Sequence, residues 1–163
     1  MNILAIDPGY DKIGYAVFTS DHPSNIKLII SGLIKTNRDN DLVSRLKQIQ
    51  QELTIIIQTH KIDCMIMEQL FFFKNAKTVI GVAQAQGSII ALASTYDLQF
   101  HFLTPLQIKQ IVTGDGRADK QSVWKMLKLQ IGTDLTVGDD DESDAIACGY
   151  AYCLVAKNTD TMG

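Results

Sequence analysis

Two short runs of apolar residues, each followed directly by an acid, constrain this chain more than any other feature of its sequence. Residues 3–6 precede Asp7, and residues 64–67 precede Glu68. An uninterrupted apolar run of this length is typical of a central strand with both faces buried. We therefore expect a sheet with these two strands at its centre and a carboxylate at the end of each. A buried carboxylate needs a hydrogen-bonding partner or a metal ion.

The order of the remaining patterns predicts an α/β domain, with a meander of three strands and then strands joined by helical crossovers. The predicted strands are residues 2–6, 14–18, 26–34 (interrupted at Ser31 and Gly32), 62–68 and 98–103. The predicted helices are residues 41–59 (capped by Asp39 or Asn40), 78–95, 105–112 (capped by Thr104), 118–129 and 141–156. The expectation is a mixed five-stranded sheet flanked by helices, in the order βββαβαβααα along the chain.

Length and composition indicate one domain. The chain has 163 residues, of which 46% are hydrophobic and 20% are charged, ordinary proportions for a globular protein. We assign residues 1–157 to a single domain and residues 158–163 to a flexible tail. No apolar run approaches the roughly 18 residues of a membrane span.

The N-terminus and the cysteines favour a cytoplasmic location. Asp7, Pro8 and Gly9 interrupt the first apolar run too early for a signal peptide. The three cysteines lie in apolar segments without CxxC spacing, which favours reduced, buried thiols over a disulfide or zinc site.

A second pair of acids lies near the end of the chain. Asp141 and Asp144 open the last predicted helix, and residues three apart lie on the same helix face. Asp139 and Asp140 are expected to cap that helix or to lie in solvent. Each acid alone has an ordinary explanation, as a turn residue or as an acid at the positive end of a helix dipole.

Together the four acids indicate a metal site. Two strand ends and one helix face could bring Asp7, Glu68, Asp141 and Asp144 around a divalent cation. Mg²⁺ prefers oxygen ligands and leaves positions open for water and phosphate. The chemistry that such a site supports is phosphodiester cleavage.

The charge distribution is compatible with a nucleic-acid partner despite a net charge of −3. Residues 104–130 carry five basic and two acidic side chains, whereas residues 131–163 carry seven acids and one lysine. A metal-dependent nuclease would show such neighbouring basic and acidic stretches, because bound metal offsets the acids. Two solvated helix faces of opposite sign would give the same pattern.

Small residues mark one side of the helix predicted over residues 78–95. They recur at helical spacing and would allow another helix to approach closely, either from this chain as a core contact or from a second copy. The stripe consists of Val79, Ala83, Gly87, Ile90 and Ser94.

Three motifs in this order resemble the RuvC family of Holliday-junction resolvases. The first is formed by residues 6–9 (Ile-Asp-Pro-Gly) with residues 14–16, and the second by residues 67–69 (Met-Glu-Gln) with residues 74–76. The third is formed by residues 141–147. The resemblance covers nearly the whole chain. It implies an RNase H-like fold, a homodimer, paired nicks in a four-way DNA junction in recombination and repair, and cooperation with the RuvA–RuvB branch-migration complex.

The resemblance also implies roles for individual residues. Asp7, Glu68, Asp141 and Asp144 would be the catalytic tetrad and the ligands of two Mg²⁺ ions, for which Mn²⁺ could substitute, and cleavage would leave 5′-phosphate and 3′-hydroxyl ends. An aromatic residue would stack on an unpaired base, and basic residues would contact phosphate. These DNA-binding candidates are Phe71, Lys74, Lys77, Lys109, Arg117 and Lys120.

Three alternatives remain open from the sequence. Another RNase H-like nuclease, acting on RNA or branched DNA, would share the acids. An actin-like ATPase-type module shares the first turn but lacks the acids at positions 141 and 144 and needs a second domain. A structure-specific DNA-binding protein without catalytic activity is the third.

Overall fold

The computed structural model describes residues 1–69, 76–132 and 135–156, with the backbone alone for residues 76–78. Its elements are β1 (Asn2–Asp7), β2 (Lys12–His22), β3 (Asn25–Lys35), α1 (Leu42–His60), β4 (Cys64–Glu68), α2 (Ala76–Thr95), β5 (Gln99–Leu103), α3 (Pro105–Thr113), α4 (Lys120–Ile131) and α5 (Asp140–Val155). The predicted order of elements is confirmed. The predicted tail, residues 158–163, lies outside the described residues, and the single domain over residues 1–157 stays a prediction. None of the described helices is long and apolar enough to cross a membrane.

The strands form one mixed sheet in the order β3-β2-β1-β4-β5. The first three strands pair antiparallel, whereas β4 pairs parallel with both β1 and β5. The two apolar runs are therefore the neighbouring central strands β1 and β4, as the sequence predicts. Their parallel pairing brings both carboxyl ends to the same edge of the sheet.

The hairpin of β2 and β3 is longer than predicted. The two strands stay paired through Ser31 and Gly32, so the expected interruption is wrong. A Cβ on Gly32 would lie 2.9 Å from the hydroxyl oxygen of Tyr15. The glycine is present because the Tyr15 ring crosses the neighbouring strand at this point, not because the strand ends there.

The helix starts follow capping chemistry. Thr104 caps α3 with Pro105 in its first turn, and Asp139 caps α5, both as predicted. The expected cap of α1 at Asp39 or Asn40 is wrong, because the Asp41 side chain accepts a hydrogen bond from the Ser44 backbone N–H at 2.9 Å. α4 begins two residues later than predicted, because Asp119 is its N-cap.

Helices cover both faces of the sheet. Ile3 and Ala5 of β1 belong to the core beneath α3, α4 and α5, whereas Leu4 and Ile6 belong to the core beneath α1 and α2. All four side chains are fully buried. Apolar residues on both faces of β1 explain why its sequence shows no alternation.

Two glycines allow α5 to lie unusually close to the sheet. A Cβ on Gly149 of α5 would lie 2.6 Å from the Phe18 ring and 2.8 Å from the Cβ of Ala5. A Cβ on Gly14, which pairs with Asp7 across the β1–β2 ladder, would overlap the backbone carbonyl of Asp141. The start of α5 is therefore held against the end of β1.

We predict that Gly149→Ala destabilises the protein by about 1–3 kcal/mol, because the added methyl group overpacks a core with no free space. Urea denaturation followed by circular dichroism measures the change in the free energy of unfolding. Gly138→Ala is the control, since a Cβ there would meet no atom within 4 Å. Equal stability of the two variants would contradict the close approach of α5.

Candidate active site

The two strand-end acids lie side by side. Asp7 ends β1 and Glu68 ends β4, and the register pairs Ile6 with Met67 immediately before them. Because the strands are parallel, both carboxylates emerge at the same edge of the sheet. The prediction of adjacent acids at the ends of central strands agrees with this placement.

The second pair of acids comes from the first turn of α5. Asp141 and Asp144 are one helical turn apart, and each side chain is about one-third exposed, at 34% and 31%. The side chain of Asp140, which lies between the N-cap Asp139 and Asp141, is 83% exposed. The close approach of α5 at Gly14 places this turn over the carboxyl end of β1.

The pKa values of the strand-end acids show that the four carboxylates act on one another. Burial raises the pKa of Asp7 to about 8, and repulsion from Glu68, Asp144 and Asp141 adds to the rise. Burial also raises the pKa of Glu68 to about 7, and Asp144 adds to it. Asp7 and Glu68 therefore retain protons at neutral pH more readily than free carboxylic acids, because the neighbouring cations only partly offset burial and repulsion.

Two lysines partly compensate the acids. Lys120 of α4 donates a hydrogen bond to Asp144 at 2.7 Å and opposes the pKa rise of both Asp7 and Glu68. Lys12 at the start of β2 donates to both Asp139 oxygens at 2.7 and 2.9 Å and lies 3.4 Å from Asp141.

The four carboxylates suit a hard divalent cation, provided that two of them exchange their present lysine partners for the ion. Within the described residues, no three Asp, Glu, His or Cys groups stand close enough to hold an ion as they are oriented. Two of the four carboxylates, Asp141 and Asp144, point to lysines. An ion would have to exchange with the lysine ammonium groups. A cation bound by Asp7 and Glu68 would relieve the burial and repulsion that raise their pKa values, and an all-oxygen set suits Mg²⁺ or Mn²⁺.

A cleft opens beside Glu68 and Asp144. Its walls come from α3, α4 and α5, and two of the four predicted DNA-binding lysines, Lys109 and Lys120, line it. The lining includes Lys109, Lys120, Trp124, Ser143, Glu68 and Asp144. Lys109 also lowers the pKa of Glu68, which places its charge near the acids.

Arg117, the other predicted DNA-binding residue whose side chain is described, does not line this cleft. Arg117 is exposed in the loop between α3 and α4, where its backbone N–H donates to Asp115 at 2.9 Å. Phe71 and Lys74 lie outside the described residues. Lys77 lies in α2, and its side chain is not described.

Sequence reasoning missed Trp124 and Lys12. Trp124 is the only tryptophan of the chain and lies one helical turn after Lys120, so the two share a face of α4. That spacing could have identified it as a wall of the cleft. Lys12 gave no signal, because its partners lie 127 and 129 residues further along the chain.

These features define an RNase H-like α/β protein with an acid cluster at the carboxyl edge of its central strands. Two solved structures are among those that share this fold. They are RuvC of Thermus thermophilus, with a TM-score of 0.89, and T. thermophilus RuvC in complex with a Holliday junction substrate, with a TM-score of 0.91. Each is 21% identical and covers 98% of this chain, over 97% and 96% of the respective solved chains.

Sequence comparison identifies the family. The family model of crossover junction endodeoxyribonuclease RuvC matches residues 3–152. The protein of that name from Petrotoga mobilis is 40% identical over 152 residues, 93% of each chain. The one from Thermosipho melanesiensis is 37% identical over 157 residues, 96% of this chain and 98% of the relative. The chain belongs to the RuvC family, which confirms the resemblance drawn from the three motifs.

We predict that, with a chelator present, the wild-type protein loses stability between pH 5.5 and 8.5. Asp7 and Glu68 have higher pKa values in the folded chain than when unfolded, so the folded state binds more protons in this range. Their contribution to stability is complete below about pH 4, the pKa of unfolded carboxyls, and is lost as the pH rises through 7 to 8. The carboxyl groups with lowered pKa values are already ionised at pH 5.5 and do not change.

Asp7→Asn removes the larger of the two contributions. Thermal unfolding in EDTA should show the wild-type midpoint falling relative to that of Asp7→Asn by roughly 5 °C or more, since each kcal/mol moves the midpoint of such a domain about 2–4 °C. Added Mg²⁺ should stabilise the wild type more at pH 8.5 than at pH 5.5. Parallel pH profiles of the two proteins would contradict the mutual repulsion of the acids.

Proposed function

We propose that this protein is a metal-dependent endonuclease that resolves four-way DNA junctions by paired symmetric nicks, in recombination and repair. The observation that carries the proposal is the convergence of Asp7, Glu68, Asp141 and Asp144 at one edge of the sheet, beside a cleft lined by lysines. Membership of a family whose curated relatives are named crossover junction endodeoxyribonucleases supports the choice of substrate.

Each acid has a place in the proposed reaction. Asp7 and Glu68 lie at the ends of paired central strands, and Asp141 and Asp144 would exchange their lysine partners for the cations. Two Mg²⁺ ions, when bound, supply an activated water and stabilisation of the leaving 3′ oxygen. Cleavage leaves a 5′ phosphate and a 3′ hydroxyl. Mn²⁺ is expected to substitute, because the ligands are all oxygen atoms.

The lysines of the cleft hold the strand. Lys120, released from Asp144, is positioned to contact a phosphate oxygen and to stabilise negative charge in the transition state. Lys109 lies in the same cleft and would contact a neighbouring phosphate of the DNA backbone. Trp124 also lines the cleft, and the Lys128 ammonium lies over its ring, 5.7 Å from the centroid.

A homodimer is part of the proposal. The small-residue stripe of α2 is not a core contact within the protomer: Ala83, Gly87 and Ser94 are exposed, and a Cβ on Gly87 would meet no atom within 4 Å. The opposite face of α2 enters the core through Ala85 and Ile89. An exposed stripe of small residues allows close contact with a second copy, and two sites related by a two-fold axis suit paired nicks in a junction.

Two further parts of the proposal follow from the family. The protein acts with the RuvA–RuvB branch-migration complex. It acts in the cytoplasm, and the free, buried thiols of Cys64, Cys148 and Cys153 support this reducing location.

The tetrad is tested by Asp7→Asn and Glu68→Gln on a synthetic mobile four-way junction with Mg²⁺. We predict at least about a 100-fold loss of nicking rate, because several kcal/mol of transition-state stabilisation are lost. Junction binding should stay within about threefold of wild type. Mapping both nicks on the wild-type protein tests their symmetry, and flaps, RNA–DNA hybrids and linear duplexes test the rival nuclease substrates.

Asp140→Asn is the matched control for the acids of α5, since its side chain is 83% exposed. It should nick at nearly the wild-type rate, whereas Asp141→Asn and Asp144→Asn should not. Normal Mg²⁺-dependent nicking by Asp7→Asn or Glu68→Gln would remove the metal-tetrad proposal.

The dimer is tested by Gly87→Arg. A charged side chain in the centre of the proposed interface should convert a dimer to a monomer in light scattering coupled to size-exclusion chromatography. Leu129→Arg is the control, because this α4 residue is 65% exposed and lies on another face of the protein. A dimer that persists in Gly87→Arg would place the interface elsewhere.

A further inference from the structure

A second groove borders the acid cluster at a different carboxylate from the lysine cleft. The cleft meets the cluster at Glu68 and Asp144, whereas the groove meets it at Asp141. The groove lies between the β1–β2 turn, α2 and the start of α5. Its lining residues are Tyr10, Asp11, Lys12, Arg38, Val82 and Asp141.

The floor of this groove is held by a buried arginine. Arg45 of α1 is 5% exposed, and its guanidinium lies 3.6 Å from the centroid of the Tyr10 ring. It donates to the Tyr10 carbonyl at 2.9 Å, to the Thr36 hydroxyl at 2.7 and 2.9 Å, and to the Asp11 carboxylate. These bonds fix the turn, so the groove is a formed surface.

Tyr10 is also fixed from the other side. A Cβ on Gly81 of α2 would lie 2.9 Å from the Tyr10 ring, so the ring packs directly on the helix backbone. The ring is thereby held between Arg45 and α2. A groove wall of this kind keeps its shape when a ligand arrives.

The groove carries an exposed cation beside a carboxylate that is already neutralised. Arg38 pairs with Asp11 at 2.8 Å, yet its side chain is 76% exposed. Arg45 also binds Asp11 and offsets its charge from the buried side. Lys12 is bound to Asp139 at 2.7 Å. The groove lining carries two cations, Lys12 and Arg38, and two carboxylates, Asp11 and Asp141. Because Arg45 already offsets Asp11 and Asp141 would hold the metal ion, the exposed Arg38 is left as the cation that a phosphate can reach.

The position of the groove defines its ligand. A strand whose phosphate is cleaved at the acid cluster must continue on both sides of it. The cleft with Lys109 and Lys120 takes one side. We propose that the groove takes the other, as a second phosphate-binding surface in which Arg38 contacts the DNA backbone next to the cleaved bond and Lys12 adds positive potential. This inference rests on the proposed function.

Junction binding measures the contact. Fluorescence anisotropy with Ca²⁺ in place of Mg²⁺, on junctions shown by gel to stay intact, gives the affinity at several salt concentrations. Arg38→Gln should weaken binding about five- to tenfold and reduce the slope of log affinity against log salt by about one, the value of one lost phosphate contact. Arg38→Lys, which keeps the charge, should retain the wild-type slope.

Two controls separate this contact from a general effect. Lys27→Gln removes an exposed charge at the far end of the β2–β3 hairpin, where Lys27 pairs with Thr19, and should leave the slope unchanged. Neutral methylphosphonates placed one at a time around the nick site should weaken wild-type binding at a position where Arg38→Gln shows no further loss. Thermal unfolding should be unchanged, because an exposed ion pair contributes little to stability.

The outcomes distinguish the two proposals. A wild-type protein that neither binds nor nicks four-way junctions would overturn both the function and the groove. A wild-type protein that does both, with Arg38→Gln matching its affinity, slope and methylphosphonate pattern, would overturn the groove alone.

Discussion

The close contact between α5 and the sheet is the constraint on which the rest of the structure depends. At Gly14 and Gly149 the helix lies where any side chain would collide with backbone or core atoms. Two of the four acids belong to this helix and two to the strands beneath it, so the spacing between helix and sheet is also the spacing between the acid pairs. A methyl group at either glycine would separate them. Glycine inside a helix costs about 0.5–1 kcal/mol of stability. At Gly149 that cost is offset by the close approach of α5, which brings the two pairs of acids together.

That contact concentrates negative charge, and the chain compensates for it locally. The raised pKa values of Asp7 and Glu68 mean that the folded protein is more stable when these two side chains are neutral. Lys120 reduces the repulsion by pairing with Asp144, and Lys12 reduces it by pairing with Asp139 and Asp141. A cation with two charges and short bonds to oxygen can replace the lysine ammonium groups there. The close packing of the acids thus lowers the stability of the protein without metal and favours the binding of a metal ion.

Much of this could be predicted from the sequence, because the decisive signals were local. Uninterrupted apolar runs identify β1 and β4, Thr104-Pro105 identifies the start of α3, and Asp141 and Asp144 share a face by spacing alone. The cap of α1 was missed because Asp39, Asn40 and Asp41 can all cap a helix, and only the backbone path selects the last. Lys12 and Arg45 were missed because the acids that they pair with, Asp139 and Asp11, lie far away in sequence. An ion pair of that kind leaves no periodic pattern, so only the folded chain reveals it.

The turn after β1 links the acid cluster to the helix that carries the proposed dimer surface. Tyr10 is three residues from Asp7, and its ring lies between the Arg45 guanidinium and the backbone of α2 at Gly81. The inner face of α2 therefore supports the turn, while the outer face, at Ala83 and Gly87, is open to a second copy. Because one face of α2 contacts the Tyr10 turn and the other would contact the second copy, the helix would link the position of that copy to the edge of the sheet where the acids lie. The proposed paired nicks need two active sites at a fixed separation, and in the proposed dimer α2 and its contact with Tyr10 would help to set that separation.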